Sequence, residues 1–175
     1  MAKITKTGEG TAPLGGLTED QLKTIGRIAV AHSFLEFAAL LLLGKLLHHE
    51  PARAVAIVGG DPLPTQLSRI RRLLSLPDDD LPRPTRAAMV TWVDHVEKLK
   101  DERNRVLHST WVAGVNKNPS IQVSFRKGRA SMREVSADDL SAIAESLELL
   151  AGAGFNFLTE VDTGQVDTDD VFGMD

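Results

Sequence analysis

The sequence predicts a mainly α-helical protein: a bundle of four to five helices with a small antiparallel β-hairpin or meander inserted before the last helix. Three observations lead to this fold class. Apolar residues recur every three to four positions in the long segments at both ends of the chain. A capping-box pattern, Thr18-Glu-Asp-Gln21, precedes the first of these segments. Between residues 110 and 135 the pattern changes to short β-like runs separated by turns.

The first half of the chain reads as four helices with clear stop signals. The first runs from the Thr18 cap to about His49, where Pro51 ends it, and a second, short helix is closed by Gly59-Gly60. A third helix carries arginines on one side, and a loop rich in Pro and Asp separates it from the fourth. The predicted bounds of the last three helices are Ala52–Val58, Thr65–Leu76 and Thr85–Ser109, with the loop at Pro77–Pro84.

The second half combines the β insertion, at about 110–135, with one long helix. Ser136 is the predicted cap of that helix, which extends to about Thr159. Its buried stripe comprises Leu140, Ile143, Ala144, Leu147, Leu150 and Ala151. The predicted strands are Trp111–Val115, Ile121–Phe125 and Ser131–Val135. The domain is therefore expected at 17–160, after a flexible leader at 1–16 and before an acidic, disordered tail at 161–175.

Composition places this chain among soluble globular proteins. It has 175 residues, of which 42% are hydrophobic and 25% charged, and it contains no cysteine. The absence of cysteine excludes disulfides and thiolate metal sites and fits a reducing compartment. The richest apolar run, Phe37 to Leu43, is far shorter than the ~20 residues of a membrane span. We therefore expect a cytoplasmic protein without a membrane partner.

The charge distribution is uneven along the chain. The formal net charge is −4, which argues against avid, nonspecific nucleic-acid binding. Residues 160–175 contain six acidic residues and no Lys or Arg. This segment is either a solubilising tail or an acidic strip that folds over a basic groove and competes with substrate.

Arg103 lies in the middle of an apolar helix face, which makes it the best functional lead. On an ideal helix it shares a stripe with Met89, Trp92, Val93, Val96, Leu99, Val106 and Leu107. An arginine does not lose its proton, so its burial requires a partner or a purpose. Glu36 is predicted to point inward from the first helix, on a stripe with Leu22, Ile25, Ala29, Leu40 and Leu43. It is therefore the candidate partner in a buried ion pair. That pair would be structural, although the guanidinium could still offer its other edge to a phosphate.

Asn104 and His108 follow Arg103 on an adjoining face. They are four residues apart, about 40° around the helix, so the amide and the imidazole can act on one ligand. Arg103 and His108 diverge by about 140°, so one copy of the helix does not present both to one small target. Two copies related by a two-fold axis can do so, which predicts a dimer with a shared site.

The segment Arg103-Asn104-Arg105-Val106-Leu107-His108 resembles the signature of the HEPN superfamily, an arginine and a histidine separated by four residues. The helix layout over residues 18 to 160 agrees with this resemblance, and the β insertion is less typical. The continuation to Trp111 is similar to a group of uncharacterised bacterial HEPN-like proteins. Members of the superfamily are usually homodimers, and many are metal-independent endoribonucleases, often toxins or antiviral effectors. Others are inactive binding or scaffold modules.

Carried over by position, the resemblance implies a role for each motif residue. His108 would act as general base or acid on the ribose 2′-OH, Arg103 would stabilise charge on the phosphorane-like transition state, and Asn104 would orient the phosphate or the imidazole. Because DNA lacks that hydroxyl, it should be inert. The implied partners are RNA and an antitoxin or regulatory protein, and no cofactor is expected. The alternative is a catalytically silent helical dimer that binds another protein, with Arg103 paired to Glu36.

The remaining candidates are weaker. Arg126, Lys127 and Arg129 form the densest basic cluster, at a hairpin tip, where they could contact an RNA backbone. His32 and Glu36 are spaced i, i+4, yet no third ligand is identifiable, so no metal site is predicted.

Overall fold

A computed structural model of the protein describes residues 16–48, 51–77, 81–112, 120–126 and 129–163. In this part of the chain five helices and a three-stranded antiparallel sheet confirm the predicted mainly α fold, with the sheet placed before the last helix. The predicted leader, apart from Gly16, and the predicted tail beyond Thr163 lie outside the described residues. The elements are α1 (Glu19–Leu46), α2 (Pro51–Val58), α3 (Leu63–Leu74), α4 (Arg83–His108), β1 (Thr110–Val112), β2 (Ser120–Arg126), β3 (Arg129–Val135) and α5 (Ala137–Thr163).

The helix boundaries follow local capping chemistry. The backbone N–H of Gln21 donates to Thr18 Oγ1 and that of Thr18 donates to Gln21 Oε1, so the predicted capping box is present. α3 and α4 each begin two residues before the predicted starts, with Pro64 and Pro84 inside the first turn. Proline is tolerated there because its fixed φ suits the helix and the first-turn N–H has no intrahelical acceptor. The assignment of Pro84 to a loop was therefore wrong.

α5 extends further than predicted. It continues to Thr163, so the boundary placed between residues 160 and 161 falls inside a helix. Its predicted core stripe is confirmed: five of the six residues are buried, and Ile143 is partly buried against the same core.

α1 packs along α5, and the two run in the same direction. Arg27 pairs with Glu148, and Phe37, ten residues further along α1, contacts Phe155, further along α5. The core-facing side of α1 is centred on Ile28, Leu35 and Leu42 rather than on the predicted stripe. From that stripe Leu22 is 40% exposed and only Leu40 and Leu43 are buried. The predicted core-facing side of α1 was wrong because this helix carries apolar residues on almost every side.

α4 packs against α5 and closes the core. The Trp92 indole N–H donates to the Leu150 carbonyl oxygen at 2.8 Å, and its ring lies 6.3 Å from that of Phe157. Gly154 makes this approach possible, since a Cβ there would lie 2.9 Å from Trp92 Cζ2.

The sheet is held against the C-terminal end of α4. Strands pair in the order β1-β2-β3, with Trp111 opposite Gln122 and Gln122 opposite Arg133. The Trp111 indole N–H donates to the Val106 carbonyl oxygen at 3.2 Å, and Arg133 forms an ion pair with Glu102 at 3.2 Å. The last two turns of α4 therefore lie between the helical core and the sheet.

One described helix, α1, is long and apolar enough to cross a membrane by length and composition. Its most apolar stretch has a mean hydropathy of 1.6 and is 44% buried within the protein. A core helix of a soluble protein meets the same criteria, and α1 packs against α2, α3 and α5.

Candidate functional site

Arg103 lies at the edge of the core, in the last two turns of α4. It is half-buried, and its Nη1 donates to the Asn104 side-chain oxygen. Its Nε is buried and has no hydrogen-bond partner among the described residues. Burial lowers the pKa of the guanidinium, which nevertheless remains protonated at physiological pH. The site therefore contains a desolvated cation with an unused donor.

The predicted ion pair between Arg103 and Glu36 is not formed. Glu36 Oε1 instead lies 3.1 Å from Nε2 of His32, one turn earlier on α1, and no carboxylate within the described ranges forms a salt bridge with Arg103. The Glu36 side chain is 44% exposed, so it lies at the margin of the core rather than inside it. The ion pair was predicted wrongly because α1 turns a different side to the core, which leaves Glu36 at the margin.

Asn104 and His108 lie on the side of α4 that turns away from the core. Asn104 is half-buried and already accepts from Arg103, whereas His108 is exposed at the last residue of the helix. The helix is regular up to His108, so the roughly 140° between Arg103 and His108 is retained. One protomer brings Arg103 and Asn104 together and leaves His108 apart from them.

Two further polar side chains at this end of α4 were missed by the sequence reasoning. Ser109 Oγ and Gln122 Nε2 are buried without hydrogen-bond partners in the described structure. Gln122 is 3% exposed and shares a sheet face with Trp111, which packs on α4. Each is a hydrogen-bond donor without an acceptor, as is Arg103 Nε. The sequence places Gln122 in the predicted strand Ile121–Phe125, and the pairing of this strand with Trp111, which the structure shows, is what buries it.

The basic residues near the sheet have different settings. Arg126 and Arg129 are paired neighbours at the ends of β2 and β3, while Lys127 lies outside the described residues. Arg105 is exposed and pairs with Glu102 at 2.7 Å, and Arg133 pairs with the same carboxylate. Arg105 and Arg133 therefore share one carboxylate, whereas Arg103 forms no salt bridge with the described residues.

Comparison with models of known protein families, with curated proteins and with solved structures yields no match. Within the described ranges no three His, Cys, Asp or Glu side chains lie close enough together to hold a metal ion. The HEPN resemblance stays a prediction that depends on the motif between Arg103 and His108.

Proposed function

We propose that this chain is a HEPN-like, metal-independent endoribonuclease that acts as a homodimer in the cytoplasm. The observation that carries the proposal is the guanidinium of Arg103, half-buried with an unpaired Nε donor and without a salt bridge to any carboxylate of the described residues. A desolvated cation without a counter-ion favours an anionic ligand, and a guanidinium matches the geometry of a phosphate.

Hydrogen-bond donors at the C-terminal end of α4 support an anion site. Asn104 accepts from Nη1 of Arg103, and the buried Nε of Arg103 has no acceptor among the described residues. Ser109 Oγ and Gln122 Nε2 offer two more buried donors at the same end of α4. Phosphate oxygens are strong acceptors, so a bound RNA phosphate would satisfy donors that the protein leaves unpaired.

The cleavage step uses the 2′-OH of the RNA as nucleophile. His108 accepts the hydroxyl proton while the 2′ oxygen forms a bond to phosphorus and the bond from phosphorus to the 5′ oxygen breaks. The leaving oxygen takes a proton from a second imidazole or from water. Arg103 stabilises the negative charge that develops on the phosphoryl oxygens. The products are a 2′,3′-cyclic phosphate and a 5′-hydroxyl end, and DNA is not cleaved.

A second copy of the chain supplies the histidine in this scheme. Arg103 and His108 of one protomer face different sides of α4, so the site is complete only when two α4 ends meet about a two-fold axis. An active nuclease of this kind would act as a toxin or phage-defence effector and would require an antitoxin or another regulatory partner.

A catalytically silent, protein-binding helical module is the second candidate. A specific observation favours it: three large apolar side chains of α1, Val30, Phe34 and Phe37, are about half exposed. Contiguous exposed apolar surface of this kind marks interaction sites.

The test is complementation between two inactive variants. Arg103→Ala and His108→Ala should each abolish cleavage of a labelled single-stranded RNA in the presence of a chelator. Mixed after subunit exchange, they should recover about a quarter of the wild-type rate, because half of the dimers then contain one intact site out of two. Circular dichroism checks that both variants are folded.

Arg105→Ala is the matched control, since Arg105 lies two residues from Arg103 but is exposed and paired to Glu102. It should cleave at the wild-type rate. Absence of cleavage by the wild-type protein, or cleavage that persists in His108→Ala, would refute the nuclease. Loss in both variants without recovery on mixing would refute the shared site alone.

A further inference from the structure

The surface of α1 and α5 opposite the core carries an aromatic ridge, formed by Val30, Phe34 and Phe37 of α1 and Phe155 of α5. The three α1 side chains are 57%, 55% and 47% exposed. The ring of Phe34 meets that of Phe155 edge-on, with the centroids 6.5 Å apart, and the ring of Phe37 is tilted against it at 6.1 Å. Together they leave roughly 300 Å² of apolar surface open, the size at which such a patch is often functional.

A glycine lies on the same stripe of α1. Gly26 is exposed, and a Cβ built on it would find nothing within 4 Å. Packing within the protomer therefore does not explain a residue that weakens a helix. Gly44 and Gly154 differ, since a Cβ at either would meet Ala54 or Trp92.

The glycine and the last phenylalanine of the ridge are related by helix geometry. Gly26 and Phe37 are three turns apart, about 16 Å along the axis and within about 20° of each other around it. On this stripe Gly26 leaves a depression, the pit, and Phe37 projects from the surface as a knob. A second α1, antiparallel to the first about a two-fold axis near Val30, would place each Phe37 over the Gly26 of the partner copy.

An ion pair beside the ridge is formed within the protomer. Arg27 binds Glu148 through two hydrogen bonds, Nε to Oε1 at 3.0 Å and Nη2 to Oε2 at 2.8 Å. Arg27 therefore offers no unpaired charge to an acidic partner. The surface that complements the ridge is a neutral, apolar one with a pit and a knob at the same spacing, which is the ridge itself.

We propose that the aromatic ridge is a homodimer interface, in which the α1 helices of two copies pack antiparallel with Phe37 of each seated on Gly26 of the other. The area is adequate. The face from Lys23 to Leu41 is about 27 Å long and two helices wide, a footprint of about 500 Å². Two such footprints bury about 1,000 Å² in total, which reaches the threshold for a specific interface.

This dimer differs from the one that the proposed nuclease requires. α4 contacts the buried side of α1 and α5, where Trp92 lies near Gly154 and Ala38. The aromatic ridge contains no residue of α4, so this interface is not the one in which two α4 ends meet. The inference does not depend on the proposed function, and if both hold, the active species is a tetramer.

The test is the mass in solution of full-length variants, measured by analytical ultracentrifugation over a range of protein concentrations. The wild type should be dimeric or larger. Phe34→Ser with Phe37→Ser should raise the dissociation constant by about tenfold or more, as loss of a central anchor does. Gly26→Leu should do the same by filling the pit, and its protomer should remain folded because Gly26 is exposed and a Cβ there meets nothing within 4 Å. Ile57→Ser is the control, since Ile57 is 59% exposed on α2, away from the ridge.

Cysteine cross-linking tests the register, since the chain contains no cysteine of its own. The double variant Gly26→Cys with Phe37→Cys should form a disulfide-linked dimer on mild oxidation, because the two positions are too far apart to join within one chain. Val55→Cys should remain monomeric on denaturing gels. A monomeric wild type, or a dimer whose mass none of the ridge variants changes, would overturn the proposal. Retained RNA cleavage by a ridge variant would leave the proposed nuclease standing without this interface.

Discussion

Glu36 lies where the core of the bundle meets solvent, and its surroundings disfavour its charge. Burial raises the pKa of this carboxyl above its ordinary value, and its nearest ionisable neighbour is His32, which is itself 5% exposed. A group whose pKa is raised by folding destabilises the folded state as pH rises through its unfolded pKa. Glu36 therefore weakens the fold at neutral pH.

We expect Glu36→Gln to leave the free energy of unfolding unchanged at neutral pH or to raise it by no more than about 1 kcal/mol, because the side chain is nearly half exposed. The difference should vanish below about pH 4, where the wild-type carboxyl is protonated. Urea unfolding at both pH values measures it. A loss of about 3–5 kcal/mol would instead reveal a buried ion pair with Arg103.

The sequence could predict that Arg103 faces the core but not what lies beside it. Its helical stripe follows from the 3.6-residue period, and the structure places the residue on that side of α4. Its partner depended on the rotation of α1, which carries apolar residues all round. A helix with Val30, Phe34 and Phe37 outside and Ile28, Leu35 and Leu42 inside gives two stripes of similar strength. Only packing against α5 decides between them.

Two glycines of α5 occupy opposite environments at the scale of the helix. At Gly154 an added Cβ would lie 2.9 Å from Trp92 Cζ2 and 3.0 Å from the Cβ of Ala38, whereas at Gly152 it would meet nothing within 4 Å. Gly154→Ala should lower the free energy of unfolding by about 1–3 kcal/mol through overpacking. Gly152→Ala, the matched control, should raise it by up to about 1 kcal/mol through helix propensity. Equal effects in thermal unfolding would contradict this packing.

The start of α5 gives a pH-dependent prediction. Asp139 Oδ2 accepts from the backbone N–H and the hydroxyl of Ser136, and these bonds lower the pKa of its carboxyl below 3.8. A lowered pKa stabilises the fold above pH 3.8, and this contribution is lost as pH falls through the folded value. Asp139→Asn should therefore cost about 0.5–1 kcal/mol at neutral pH.

The cost of Asp139→Asn should shrink in acid, as followed by chemical unfolding at several pH values. Asp138→Asn is the control, because Asp138 is exposed in the same turn and the described structure gives it no hydrogen bond. A cost that does not change with pH would show that the carboxylate at 139 contributes no charge-dependent stability.

Helix starts were predictable where a side chain caps the backbone and less so where proline opens the helix. Thr18 and Ser136 cap α1 and α5 as their sequence patterns predicted. Pro64 lies before the predicted start of α3 and Pro84 in the predicted loop, although the first turn of a helix accepts proline as readily. Whether such a proline lies in a loop or in the first turn of a helix depends on the residues before it, and the sequence pattern assigns those residues to a loop.

At the scale of the whole molecule, the fold class was predictable and the composition of the site was not. Five amphipathic segments and one change of period are enough to predict a bundle with a small sheet. Gln122 reaches the C-terminal end of α4 only because β2 pairs with β1 and β1 packs on α4. Such contacts join residues far apart in sequence, so no local pattern records them.

The two tryptophans divide the molecule into separately observable parts. The chain contains no tyrosine, and Trp92 lies in the helical core while Trp111 joins the sheet to α4. Intrinsic fluorescence therefore has one source in each unit. With Trp111 replaced by Phe, emission reports melting of the helices, and with Trp92 replaced it reports detachment of the sheet, so the order in which the units come apart can be followed without a label.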